Sequence, residues 1–200
     1  MIPIKESRFM SDHSEGDHGL ESILDYELSW VLRMAADAEC KEKQPLLYHQ
    51  CRHILFKLLK IEDSANIQIA KVNVWKQWSY VDLIADIYLQ INDKEQLHVL
   101  MAENKAYTFM SEKQRDEYPN VVKETYAKPP YTKYPNYLLH QTLITCFEDG
   151  QSEYEQLRQF IEGTSWDLFS VSDLPDGNIE SATESDLFNE FWLYSWIKLE

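Results

Sequence analysis

The sequence predicts an α/β domain in which one contiguous block of strands is framed by helices. Three observations carry that expectation. Apolar residues between positions 20 and 59 recur at helical spacing, positions 66 to 105 switch to strand alternation and β-branched or aromatic runs, and the chain then returns to helix, strand and helix. A length of 200 residues at 23.7 kDa suits a single domain with a substantial core.

Residues 1–19 show no apolar period and read as a flexible N-terminal arm, leaving 20–200 as the folded domain. Leu20, Ile23, Leu24, Leu28, Val31, Leu32 and Ala35 define a first helix to about Ala38. Leu46 to Leu59 defines a second, through Leu47, Cys51, Ile54, Leu55 and Leu58. Asn66 to Trp75 alternates as a strand, and Val81 to Ile91 and Gln96 to Lys105 form a hairpin around the turn residues Asn92, Asp93 and Lys94. Ser111 followed by Gln114 has the spacing of a capping box and opens a helix to about Tyr126. Pro129-Pro130 ends that helix ahead of a strand at Tyr137 to Phe147. A helix at Ser152 to Ile161, a short strand at Trp166 to Val171 and a closing helix over Thr183 to Trp196 complete the order.

Composition removes several function classes. The chain has 44% hydrophobic and 13% aromatic residues, which is globular rather than disordered. It has no long uncharged apolar run and no export-type leader pattern at its start, so no membrane span is expected. Five glycines do not make a Gly-x-Gly-x-x-Gly turn or a phosphate-cradling loop anywhere. Three cysteines without a Cys-x-x-Cys pair argue against a disulfide framework or zinc ribbon, and a reducing cytoplasm is the expected setting. The net charge of -15 opposes polyanion binding, but its distribution is uneven. Residues 51–150 carry 13 acidic and 12 basic side chains against 21 and 7 in the flanks, so a phosphate-facing surface belongs in the middle.

The hairpin carries the chemistry. Asp82 and Asp86 share a face of one strand, and Glu103 and Lys105 share a face of its partner. Carboxylates brought together repel unless a proton or cation intervenes, and a divalent metal can hold both ionised. An exposed Glu103–Lys105 ion pair is the alternative reading. Pairing register decides which aspartate meets Glu103, because Asp82 and Asp86 lie about 13 Å apart along the strand. A tight turn at Asn92-Asp93 makes paired residue numbers sum to 185 and selects Asp82, whereas a looser turn between Lys94 and Glu95 gives 189 and selects Asp86.

Asp86 followed by Glu103-Asn104-Lys105 resembles the Asp…Glu-x-Lys core of the PD-(D/E)xK nuclease superfamily. Gln114-Arg115-Asp116-Glu117-Tyr118 resembles the Gln-x-x-x-Tyr motif of one large subset, on the helix after the lysine strand, and Glu27 is similar to the first-helix glutamate of that family. The likeness spans residues 20–147. It implies a restriction-endonuclease-like αβββαβ core, a central mixed sheet flanked by helices, with a C-terminal helical extension. It also selects Asp86, since Ala85-Asp86-Ile87-Tyr88-Leu89 resembles the family's aspartate followed by an apolar strand. By the same resemblance, Asp86, Glu103, the Asn104 carbonyl and Glu27 are expected to hold Mg²⁺ or Mn²⁺. Lys105 would position water, Gln114 would contact substrate or site water, and Tyr118 would support it.

The function expected on this basis is metal-dependent hydrolysis of nucleic acid, with DNA as the substrate. Lys113, Arg115, Lys123, Lys128 and Lys133 are expected at phosphates beside Gln114. The rival is an inactive nuclease-fold protein that binds protein partners through its acidic flanks. His49 and His53 stand at i and i+4 but read as an exposed helix face, since the glutamate of His-Glu-x-x-His is missing. Trp75, Trp78 and Tyr80 read first as packing residues and second as base-stacking residues. Phe188, Phe191, Trp192, Tyr194 and Trp196 surround the last helix too fully for one buried stripe, so they are expected to cover the sheet and also to mark a homodimer or partner surface.

Overall fold

A computed structural model describes residues 19–178 and 181–195. The expected N-terminal arm and Trp196 therefore lie outside the described residues, apart from Gly19. The elements run α1 Leu20–Met34, α2 Ala38–Lys43, α3 Pro45–Leu59, β1 Ile67–Trp78, β2 Val81–Ile91, β3 Lys94–Lys105, α4 Glu112–Tyr126, β4 Leu138–Thr145, α5 Ser152–Ile161, β5 Trp166–Ser170 and α6 Asp186–Phe188. The last continues as a π-helix over Asn189–Tyr194.

Two ends differ from the sequence reading for local reasons. The first helix stops at Met34 rather than Ala38, because Asp37 accepts the Cys40 amide at 2.6 Å and caps a separate short helix. The closing helix starts at Asp186 rather than Thr183. The Asn189 amide bonds both the N–H and the C=O of Thr183 at 2.9 Å, holding that stretch as a loop until Ser185 caps the helix.

The strands form one mixed sheet in sequence order, β1-β2-β3-β4-β5, antiparallel through β3 and parallel from β3 to β5. Central strands β2 and β3 are buried on both faces, which explains their nearly unbroken apolar sequence. One face packs Leu83, Ala85, Ile87, Leu100 and Ala102 against α1, α3 and the C-terminal helix. The other packs Ile84, Val99, Met101 and Leu143 against α4 and α5. Leu24, Leu28, Leu32, Leu55 and Leu58 are fully buried, each worth about 2 kcal/mol of apolar burial.

Phe188, Phe191 and Trp192 lie within this core, so they do not present the partner surface expected of the last helix. Cys40, Cys51 and Cys146 are free and buried. Among the described residues no helix is long and apolar enough to cross a membrane.

The turn between β2 and β3 sets the position of the site. Asn92 and Asp93 both adopt positive φ, 47° and 63°, as a two-residue type I′ connection requires. The register follows: Ile91 faces Lys94 and Leu83 faces Ala102, each pair summing to 185. Asp86 is thereby paired with Val99, while Asp82 arrives at the level of Glu103.

Candidate active site

Asp82, Glu103 and Lys105 converge where β2 begins and β3 ends. Lys105 Nζ lies 3.7 Å from Asp82 Oδ2 and 3.6 Å from Glu103 Oε2. Asp82 Oδ2 also accepts the Asn104 backbone N–H at 2.9 Å, so a side chain continues the ladder past the last backbone pair. Alternation along β3 sends Glu103 toward α4 and Asn104 toward α1, where the Asn104 amide donates to Asp25.

Helix α4 fixes the glutamate. The expected capping box is present: Ser111 Oγ accepts the Gln114 N–H at 3.3 Å and Gln114 Oε1 accepts the Ser111 N–H at 3.0 Å. With its oxygen committed to the cap, the Gln114 amide directs Nε2 onto Glu103 Oε2 at 2.9 Å. One residue thus starts the helix and orients a carboxylate. Tyr118, one turn on, is partly buried; burial first, then the charges of Glu103 and Asp82, raise its pKa.

The electrostatics are those of a crowded, partly desolvated carboxylate pair. Glu103 has no exposed surface, and its Oε1 is buried without a hydrogen-bond partner. Burial, reinforced by the Asp82 charge and opposed by Lys105, pushes its pKa up to about 8. Burial alone would pull the Lys105 ammonium down, but the Asp82, Glu103 and Glu21 carboxylates outweigh it and the net shift is upward. Lys105 therefore stays charged through neutral pH.

The expected aspartate is corrected. Asp86 lies four residues along β2 from Asp82, about 13 Å, and its surroundings are structural. It accepts hydrogen bonds from Tyr126 and, at 3.4 Å, from Tyr88, and burial raises its pKa. This is a buried carboxylate satisfied by phenol hydroxyls. Glu27 is corrected as well. It is buried on α1, where desolvation raises its pKa to about 7, and its neighbours are Trp192 and Cys51 rather than Glu103. The α1 carboxylate that reaches the site is Asp25, two residues earlier and about 200° around the helix.

Sequence reasoning missed Asp25 and Gln77. Gln77 sits in β1 with φ 53°, and this left-handed kink carries its amide across to Asp25 Oδ2 at 3.3 Å and Asp82 Oδ1 at 3.5 Å. Among the cations expected at phosphates, Lys113 stands beside Gln114 in the first turn of α4. Arg115 is held by Asp116 at 2.7 and 2.8 Å and by the Phe160 carbonyl at 3.1 Å. Lys123 and Lys128 follow α4 toward Tyr126 and Asp86, away from Glu103. Lys133 lines a cavity with Asn92 and Lys94 at the opposite end of the sheet. Arg115 is thus already paired within the chain, and Lys133 stands apart from Glu103.

Among the described residues no three His, Cys, Asp or Glu side chains are grouped to hold a metal by themselves. The donors present are the Asp82 carboxylate and the unpartnered Glu103 oxygen. This hard oxygen set, once Glu103 gives up its proton, suits a Mg²⁺-type ion that keeps most of its waters. No family model, no curated protein and no solved structure matches the chain.

Proposed function

We propose that this protein is a metal-dependent phosphodiesterase acting on nucleic acid, with a restriction-endonuclease-like core and the PD-(D/E)xK arrangement in which Asp82 is the aspartate. One observation carries the reading: Asp82 and Glu103 each lie within 4 Å of Lys105, with Gln114 bonded to Glu103. The order α1, β1 to β3, α4, β4, with α2 and α3 placed between α1 and β1, supports the reading by its agreement with the αβββαβ order expected of the family.

Asp82 and Glu103, with the backbone oxygen of Asn104, would hold Mg²⁺ or Mn²⁺. Bound there, the ion supplies charge to the phosphoryl oxygens and lowers the pKa of a water. Lys105, cationic and beside both carboxylates, orients that water and offsets charge accumulating on the phosphorus oxygens. Gln114 holds the Glu103 carboxylate through Oε2 and leaves Oε1 without a hydrogen-bond partner. Asp25 and Gln77 orient the strand ends, the first through Asn104 and the second through Asp82.

A second reading has its own observation. Lys105 bridges the two carboxylates and offsets their charge without a metal ion, as a non-catalytic protein-binding module would require. Calorimetric titration with Mg²⁺ and Mn²⁺, followed by incubation with single- and double-stranded DNA, separates the two. Uptake of metal and cleavage that EDTA stops support the enzyme. No uptake and no cleavage support the module.

A further inference from the structure

Aromatic side chains stand exposed at the end of the sheet that carries Asp82, Glu103 and Lys105. Asp82 is two residues from Tyr80, the second residue of the two-residue turn closing the β1–β2 hairpin, where Trp78 pairs with Val81. The chain leaves β3 at Lys105 directly into Tyr107 and Phe109, and parallel β4 ends at the same edge ahead of Phe147. Both Tyr107 and Phe109 lean on the Phe147 ring, with centroids 5.5 and 5.9 Å apart. Their outer surfaces remain 60% and 49% exposed, and Tyr80 is 82% exposed.

Tyr80 is also in a conformation that its residue type disfavours. Ser79 and Tyr80 both have positive φ, 51° and 77°. The hairpin at the other end of the sheet has the same two-residue geometry but uses Asn92-Asp93, residues that tolerate left-handed backbone. A bulky aromatic there loses local stability, and its ring makes up none of that loss by packing, since it projects into solvent. Packing therefore explains Trp78, which is half-buried against the core, but not Tyr80.

We infer that this rim is a stacking platform for the unpaired bases of a single-stranded nucleic acid, with Tyr80 as its leading contact. The inference rests on the reading of the site as one that cuts nucleic acid and names its substrate class. Three features favour a single strand over a duplex. Exposed rings bind the faces of splayed bases, which a duplex conceals. A duplex-binding surface needs a dense field of cations, whereas this chain carries -15 overall, Arg115 is paired with Asp116 and the Phe160 carbonyl, and Lys133 lies at the other end of the sheet. A single strand asks for fewer cations, and Lys76, which pairs with Leu83 in the β1–β2 hairpin and lies over the Tyr26 ring, stands at this end of the sheet.

The test measures the affinity of the full chain, in EDTA, for a fluorescent oligonucleotide alone and annealed to its complement. EDTA separates binding from cleavage. The single strand should bind more tightly. Tyr80→Ala should weaken that binding about 5- to 150-fold, the loss of one base–aromatic stack, leave duplex affinity unchanged, and be rescued by Tyr80→Phe. Tyr80→Gly should lose the same affinity while its melting temperature stays level or rises, because glycine accepts positive φ. Equal affinity for both forms, or a Tyr80→Ala protein that binds the single strand normally, overturns the platform even if Mg²⁺-dependent cleavage is found. Tyr80-dependent single-strand binding without cleavage of any substrate upholds the platform and removes the catalytic reading.

Discussion

Replacing Glu103 by glutamine isolates the most perturbed charge in the site. The substitution keeps side-chain shape and an acceptor for Gln114, and removes a carboxyl whose pKa is raised from 4.5 to about 8. Because the folded protein holds this proton more tightly than the unfolded chain, protonation stabilises the fold fully below pH 4.5, and that contribution is lost as pH rises through 8. At about 1.4 kcal/mol per pH unit, the window corresponds to at most about 5 kcal/mol. Half of it, about 2.5 kcal/mol, moves the melting temperature of a chain this size by about 5–10 °C. Thermal melts in EDTA across this range should show wild type and Glu103→Gln nearly superimposed near pH 5, with the variant more stable at pH 8.5. Asp25 and Glu27 have carboxyls raised to about 6 and 7, so both proteins lose stability with pH and the difference between them reports Glu103. Mg²⁺ at pH 8.5 should stabilise wild type and not the variant. A difference between the two proteins that does not vary with pH refutes the reasoning.

Other expectations follow from the same geometry. Asp82→Asn should abolish Mg²⁺-dependent cleavage while Asp86→Asn retains it; Asp86→Ala should cost about 1–3 kcal/mol in denaturant melts by leaving the Tyr126 hydroxyl unpaired. Gln114→Ala removes the capping box, at about 1 kcal/mol, and also loosens Glu103. Gln114→Glu restores a cap but sets a like charge beside Glu103, so it should recover stability without recovering cleavage. His98, buried against His140 at 3.0 Å, has its pKa lowered from 6.5 to about 4 by burial, so stability is lost as pH falls through that interval. Acid titration of His98→Leu should show a flatter limb there.

Helix spacing, the strand block, the capping box and the Glu103-Asn104-Lys105 and Gln114 positions were legible because each is a local pattern. The choice between Asp82 and Asp86 was not. It turns on the backbone of Asn92 and Asp93, whose paired positive φ sets the register of the whole hairpin, and either turn suited the residues. Glu27 resembles the family's first-helix glutamate, and its neighbours Leu24, Leu28 and Val31 are apolar. It is indeed buried, but among Trp192 and Cys51 rather than at the strand ends. Asp25 and Gln77 carry no sequence signal: one needs the rotation of α1 about its axis, the other a left-handed residue inside a strand. The cations after Gln114 are near one another in sequence, but α4 carries them along the sheet away from the site.

Lys105→Ala gives the most direct test of the catalytic reading, because it leaves both carboxylates and removes the group proposed to orient the attacking water. Mg²⁺ titration and DNA cleavage would be measured on the same preparations of wild type and variant. The arrangement predicts that wild type binds Mg²⁺ and cleaves, and that Lys105→Ala binds Mg²⁺ at least as tightly, the ammonium 3.6 Å from Glu103 and 3.7 Å from Asp82 being gone, yet does not cleave. Wild type that takes up no metal, or a Lys105→Ala protein that cleaves at the wild-type rate, contradicts it.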